Sequence, residues 1–280
     1  MTERSGTGVG DRLRIALRSP GLVVGIAIIT FWTACALFGE RIAPFDPYAD
    51  NLLATLAAPS LDHPFGTDQL GRDILSRVII GSTDILTVSL SATLLGTLAG
   101  TVLGLALGYF GGVFDALASR VIEALQALPL IIIALIALAA VGTSNLSVIL
   151  VIAFTFTLLI ARTVRSAVKI ETTLDYIAAA RLRGDGAGSI MFVEILPNVV
   201  PLIVVETTVR LGFAIFFVAS LSFLGFGIQP PSPDWGLAIA ENYGLIGSYW
   251  WTVLFDAGAI ASLIIGFVLV AEALQGLFDR

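Results

Sequence analysis

The chain has 280 residues, of which 57% are hydrophobic and 13% charged, with a formal net charge of -6; soluble domains carry about 25% charged residues. That deficit excludes an ordinary soluble domain, and several apolar runs reach the ~20 residues needed to cross a bilayer, so the chain reads as an all-α polytopic membrane protein. The single cysteine, Cys35, excludes an internal disulfide, and the single histidine, His63, excludes a histidine-built metal site.

The first 19 residues are polar and carry Arg4, Arg12, Arg14 and Arg18. Their "GTGVG" (Gly6 to Gly10) reads as a mobile tail. A basic start before an apolar run also describes a signal peptide, but the run is long and the following "FGERIAPFDP" lacks a small-x-small cleavage site. The pattern therefore predicts a retained first span from Pro20 to Phe38, with Pro20 at the helix start. Residues 39–84 form a long polar segment containing "HPFGTDQLGRDILSRVIIGS" (His63 to Ser82), in which Thr67 or Asp68 is a candidate helix cap.

Residues 85–280 form a core of five further spans: Ile85 to Tyr109, Leu117 to Val141, Leu146 to Ala161, Val199 to Leu221 and Trp251 to Phe278. The Leu146 span is short for a membrane helix, and its pattern permits continuation past Arg162. Within the second of the six spans, Gly96, Gly100, Gly104 and Gly108 recur every four residues and stay on one face. Such a ridge admits the backbone of another helix; the sharper reading is that it lines the path or slides during opening. Arg120 and Glu123, at the start of the third span, are placed near the membrane surface, where Arg snorkels.

The loop 166–197 is polar and contains most of "DYIAAARLRGDGAGSIMFVEILPN" (Asp175 to Asn198). Three alanines favour a short helix, and the glycines after it permit a reversal. Two readings stand side by side: a small-residue helix that enters a groove on another protein, or a loop held on lipid headgroups by Arg181 and Arg183. "GDGAGS" (Gly184 to Ser189) lacks the Gly-Lys-Ser/Thr ending and the preceding strand of a phosphate loop.

In the fifth span Glu206 and Arg210 lie four residues apart, roughly 12–18 Å deep at helical rise. Charges there face the bundle interior as a rule. They read as an ion pair on one helix face, as a polar lining of a path, or as both. The prolines and glycines of "SFLGFGIQPPSPDWGLAIAENYG" (Ser222 to Gly244) preclude one continuous helix. Trp235, Tyr249, Trp250 and Trp251 fall where aromatic side chains favour the membrane boundary.

Cationic residues set the orientation. The N-terminal tail, Arg120, the stretch Arg162, Arg165, Lys169, Arg181 and Arg183, and Arg280 fall on one side, whereas Arg41, Arg72 and Arg77 on the other are outnumbered by acids. Both termini are therefore expected in the cytoplasm. No catalytic constellation stands out, since His63 sits in a loop beside Pro64 with no nucleophile assigned to it.

"AARLRGDGAGSIMFVEILPN" resembles the cytoplasmic signature of permease subunits of ATP-binding-cassette importers, roughly Glu-Ala-Ala, three residues, Gly, then a later Ile-x-Leu-Pro. Ala179, Ala180, Gly184, Leu196 and Pro197 match it; Ala178 stands where the family often has Glu, and Glu194 at the usual Ile position, with Ile195 beside it. "HPFGTDQLGRDILSRVIIGS", with Gly66, Thr67, Asp68, Gly71, Arg72 and Asp73, resembles the outer segment of the second permease subunit of dipeptide and oligopeptide importers. "LSFLGFGIQPPSPDWG" (Leu221 to Gly236), with Trp235 and Gly236, resembles that subunit's loop after the fifth span, and "ASRVIEALQALPLIIIAL" (Ala118 to Leu135) its third span. Val218 occupies a position where many relatives carry an acid.

The resemblance implies the transmembrane domain of a type I importer, multi-pass in the inner membrane of a prokaryote. It implies that 175–198 couples to a cytoplasmic ATPase through Ala179, Ala180, Arg181, Gly184, Ile195, Leu196 and Pro197. Implied partners are a sister permease, cytoplasmic ATP-binding subunits, an extracytoplasmic substrate-binding protein and membrane lipid, with no nucleic acid. The chain itself would be non-catalytic and bind no cofactor, with ATP and magnesium on the partner subunits. Relatives serve dipeptides, longer peptides, glutathione, nickel chelates and some sugars. The rival class is a stand-alone secondary transporter or channel, which calls for buried coupling charges and repeats with interrupted helices; here one internal pair and no evident repeat are seen. A membrane enzyme would need the missing catalytic constellation.

Overall fold

Long apolar stretches leave the backbone few ways to satisfy its polar groups inside a bilayer, and helices are the one this chain uses. The computed structural model describes residues 19–278; Arg4, Arg12, Arg14, Arg18, the "GTGVG" stretch and Arg280 lie outside the described residues. Among the described residues nine helices longer than one turn follow one another: α1 Pro20–Ile42, α2 Ile74–Phe110, α3 Gly112–Gln126, α4 Leu130–Val141, α5 Asn145–Glu171, α6 Asp175–Leu182, α7 Ala187–Phe223, α8 Trp235–Asn242 and α9 Trp251–Phe278. Among the described residues there are no strands, only an isolated bridge between Thr67 and Asp73.

Five helices, α1, α2, α5, α7 and α9, are long and apolar enough to cross a membrane, and α3 with α4 makes a sixth span if the bent pair counts as one. That pair corrects the expected continuous helix from Leu117 to Val141: the chain bends by 89° between Gln126 and Leu130. Pro129, at the start of α4, donates no N–H and disfavours helical backbone at Leu128. The second span begins well before Ile85, at Ile74, so the helix runs 37 residues, about 56 Å at helical rise, and exceeds a ~30 Å hydrocarbon core. Its cap is neither Thr67 nor Asp68 but Asp73, whose Oδ2 accepts the Ser76 amide at 2.8 Å. α5 continues past Arg162 to Glu171, and α7 begins at Ala187 with a π-helical turn over Ile190–Ile195.

The four glycines of α2 lie against α5. A Cβ on Gly96 would stand 2.9 Å from the Ala153 carbonyl oxygen, one on Gly100 2.9 Å from that of Thr157, one on Gly104 2.8 Å from that of Ala161, and one on Gly108 3.0 Å from that of Arg165. Four glycines spaced by four thus meet four carbonyls spaced by four, and the two backbones touch for over three turns. α1 leans on α9 in the same manner, with Gly25 against the Gly266 carbonyl and Trp32 Nε1 donating to Ser262 Oγ at 2.9 Å.

α8 is wedged between α2 and α7. A Cβ on Gly81 or on Gly236 would fall 2.3 Å from the Pro233 and Ala219 carbonyl oxygens respectively. Trp235 is fully buried, donates from Nε1 to the Val78 carbonyl at 2.9 Å, and meets Trp32 edge to face. Trp235 and Trp251 are therefore interior residues rather than membrane-boundary aromatics, while Trp250 stays half-exposed.

Filling the ridge should be more damaging than any exposed change. Gly100→Leu is expected to cost about 3 kcal/mol or more, and Gly258→Ala, with open space at its Cβ, to stay within about 0.5 kcal/mol. Unfolding midpoints and monodispersity in mild detergent read both, and an undisturbed Gly100→Leu protein would contradict the packing.

Candidate functional site

At one end of the bundle α5, α6 and α7 meet. α6 buries Ile177 and Ala180, one helical turn apart, against the core that contains Ile190 and Ile195. It turns outward Ala178, Ala179 and Leu182, the last 90% exposed. The helix ends at a residue only glycine suits: Gly184 has φ +84°, its N–H donates to Arg181 O at 3.1 Å, and the Asp185 N–H donates to Ala180 O at 3.2 Å. This is a Schellman ending, in which a left-handed residue satisfies the last carbonyls.

Of the residues expected to face a partner, Ala179, Arg181, Gly184 and Pro197 are on the surface and Leu196 is half-buried. Ala180 and Ile195 are fully buried and seat the segment on its own chain. The Arg181 guanidinium lies 5.6 Å from the centre of the Tyr109 ring at the end of α2. Arg183 bridges Asp185 at 2.7 Å and Glu194 at 2.8 Å, across the turn into α7.

Two polar groupings at this end have no counterpart in the sequence reading. The Tyr176 hydroxyl donates to Glu171 Oε2 and accepts from Asn198 Nδ2 at 3.1 Å. Burial first, then the Glu171 carboxylate, push that hydroxyl up to about 12, so it stays a donor at any physiological pH. Asp115 of α3 is buried between Arg165 Nη2 at 2.8 Å and Lys169 Nζ at 2.7 Å of α5. The one hint in the sequence is that Arg165 and Lys169 share a helix face; their acid lies 50 residues away.

At the opposite end, the segment between α1 and α2 folds over α8. Asp68 Oδ2 accepts from Arg72 Nε at 2.7 Å, and Arg72 Nη2 reaches Glu241 Oε2 at 2.9 Å. Gly71, at φ +76°, has the Asn51 carbonyl oxygen 1.8 Å from where a Cβ would stand. Gly66, Thr67, Asp68, Gly71, Arg72 and Asp73 are thus brought together, and Thr67, Asp68, Arg72 and Asp73 are buried in the chain's own structure. His63 Nδ1 lies 2.9 Å from Asp73 Oδ1. Asp234 caps α8 through Oδ1, which accepts the Leu237 amide at 2.9 Å; burial pushes its carboxyl up to about 6.

In the membrane interior Arg210 Nε donates to Glu206 Oε1 at 2.9 Å, and both side chains are about one-fifth exposed, at 20% and 18%. Thr97 and Thr207 hydroxyls lie 3.2 Å apart between α2 and α7. Below the ion pair, Val209, Gly212, Phe213 and Phe216 face Val268 and Glu272 of α9 across a largely apolar cavity of about 270 Å³. Val218 is fully buried in the core. Among the described residues no three His, Cys, Asp or Glu side chains are grouped to hold a metal ion.

Residues 100–280 match the family described as binding-protein-dependent transport system inner membrane component. The chain belongs to that family. It is 37% identical over 268 residues to the dipeptide transport system permease protein DppC of Escherichia coli (strain K12), which spans 94% of this chain and 89% of that protein. It is 35% identical over 257 residues to the protein of the same name from Alkalihalophilus pseudofirmus, covering 92% of this chain and 84% of the relative. With the di/tripeptide transport system permease protein DppC of Pseudomonas aeruginosa it shares 33% over 265 residues, 92% of this chain and 88% of that one. It is a multi-pass permease subunit of an ATP-binding-cassette importer, and a stand-alone secondary transporter or channel is not favoured.

Burial of Asp234 should give this permease's stability a pH dependence. Its folded-state value near 6 lies above the ordinary ~3.9, so the fold favours the protonated form. The stabilisation is complete below about pH 4 and is lost as pH rises through 6. Asp234→Asn keeps a capping oxygen and removes the charge, so it should be more stable than the parent by about 3 kcal/mol at pH 7.5. The gap should shrink at pH 5; a gap independent of pH would contradict the assignment.

Proposed function

We propose that the permease forms half of a translocation path for peptides or related small solutes, beside a sister permease, and takes its drive from cytoplasmic ATP-binding subunits that dock on α6. The single observation that carries this is the division of α6 into a buried seat, Ile177 and Ala180, and an exposed ridge, Ala178, Ala179 and Leu182. A rigid helix end presenting small and apolar side chains, with no internal partner for Leu182, suits insertion into a groove on another protein. ATP and magnesium then belong to the partner, and the ridge transmits rigid-body motion when the ATP-binding subunits close.

Charge distribution supports α6 on the cytoplasmic side. Arg120, Arg162, Arg165, Lys169, Arg181 and Arg183 cluster at that end, while at the other Arg72 and Arg77 lie among Asp68 and Glu241. This orientation puts both termini in the cytoplasm of a prokaryotic inner-membrane protein. The α8 end then faces an extracytoplasmic binding protein. Because Asp68, Arg72 and Asp73 are buried, they shape that surface from beneath. Peptides are the substrate class because the relatives at 31–37% identity carry dipeptide, di/tripeptide or peptide transport names. Glu206 and Arg210, paired and partly exposed, supply the one charged patch on the membrane face of α7 and suit the lining of the path.

Gly184→Trp places a bulky side chain at φ +84° beside the ridge, with open space around it. Membrane insertion should be normal and ATP-dependent uptake should fall about tenfold or more; Leu182→Asp should weaken retention of the ATP-binding subunit by a similar factor. Normal uptake by well-inserted Gly184→Trp would sink the docking assignment.

A further inference from the structure

We propose that Tyr176 is a positioning residue: its hydroxyl is the joint that fastens the end of α5 and the part of α7 just past its π-helical turn to α6, so that a displacement of α6 moves both long helices together. The inference rests on α6 being the docking helix and adds how its motion is passed on.

Three elements converge on one oxygen. Glu171 is the last residue of α5, Tyr176 lies on α6, and Asn198 follows Pro197 in α7. The Tyr176 hydroxyl donates to the Glu171 carboxylate and accepts from Asn198 Nδ2 at 3.1 Å; the same nitrogen donates to the Glu194 carbonyl at 2.8 Å. Both hydrogens of that amide are thus placed, as are the phenol's donor and acceptor.

Other links between α6 and the bundle are weaker or local. Its apolar seat is two side chains, Ile177 and Ala180. Arg181 touches α2 only through the face of Tyr109 at 5.6 Å. Arg183 is exposed and holds the turn itself together. Between α6 and the rest of α7 stands the π-helical turn Ile190–Ile195, a departure from regular hydrogen bonding in the covalent route from α6 to α7. The Asn198 bond to Tyr176 spans that turn from outside. α5 in turn is pressed on α2 along the glycine ridge, so what moves α5 carries α2.

The test uses the complete importer, purified with its partners and reconstituted in proteoliposomes, with ATP hydrolysis and substrate uptake measured on the same vesicles. Tyr176→Phe should keep the ATP-binding subunit bound and hydrolysis within about twofold of the parent, while substrate moved per ATP falls about fivefold or more. Asn198→Ala should produce the same defect, and Tyr176→Phe with Asn198→Ala should be no worse than either alone, as expected for residues in one network. Glu171→Gln retains an acceptor for the phenol and should keep most of the coupling, which guards against a loss that is only a folding defect. An unchanged ratio in Tyr176→Phe would overturn the joint, and loss of the ATP-binding subunit from that variant would make Tyr176 part of the docking surface instead. A parent complex with no ATP-binding subunit would overturn the docking reading itself, a result distinct from either.

Discussion

Where α2 crosses α5 there is no room for a Cβ. Each of four glycines faces a carbonyl at 2.8–3.0 Å from where the missing atom would stand, and that intimacy turns two long helices into one rigid plank. In lipid, helix association cannot draw on burial from water, so close van der Waals contact between small residues carries more of the weight. α8 is wedged against α2 and α7 by the same means, at Gly81 of α2 and at its own Gly236 facing Ala219 of α7, and α1 meets α9 at Gly25 and Gly266. A bundle assembled by such contacts moves in blocks rather than by local give, because packed interfaces have few intermediate arrangements.

The charges are spent at the two ends of those blocks. At the α6 end, Asp115 clamps α3 to Arg165 and Lys169 of α5, and the Glu171–Tyr176–Asn198 network ties α6 to both of its neighbours. At the α8 end, Asp68, Arg72 and Glu241 hold the segment before α2 onto α8. Each network crosses from one element to another and so ties its end of the bundle together. On the docking proposed for α6, a push on its exposed face would reach α5 and α7 through these contacts, and α2 through its packing on α5.

Much of this architecture is visible in the amino-acid order, and the parts that are not have definable causes. Apolar length places the five long membrane helices but not the 89° bend that splits the expected Leu117–Val141 helix, and the four-residue glycine spacing marks the face of α2 that meets α5. The early start of α2 is hidden because Arg77 and Asp84 interrupt its hydropathy; Arg77 is nonetheless buried, with Asp68 and Glu241 within 3.8 Å. For the same reason Thr67, Asp68, Arg72 and Asp73 read as surface while the fold bonds and buries them. Trp235 looks like a boundary aromatic until the Val78 carbonyl is found as its partner, 157 positions away. The seat and the ridge of α6 are mixed in the sequence, since Ala179 and Ala180 are adjacent yet one is exposed and the other buried. Tyr176 escapes notice because Asn198 lies 22 residues on, beyond two turns that no periodicity spans.

The most direct test is to recover this permease from its native membrane in mild detergent and identify by mass spectrometry what accompanies it, with uptake assayed on the same preparation. A sister permease and ATP-binding subunits in fixed ratio, with uptake that requires ATP, is the expected result. Uptake by the chain alone, driven by an ion gradient and indifferent to ATP, would contradict a subunit that takes its motion from α6.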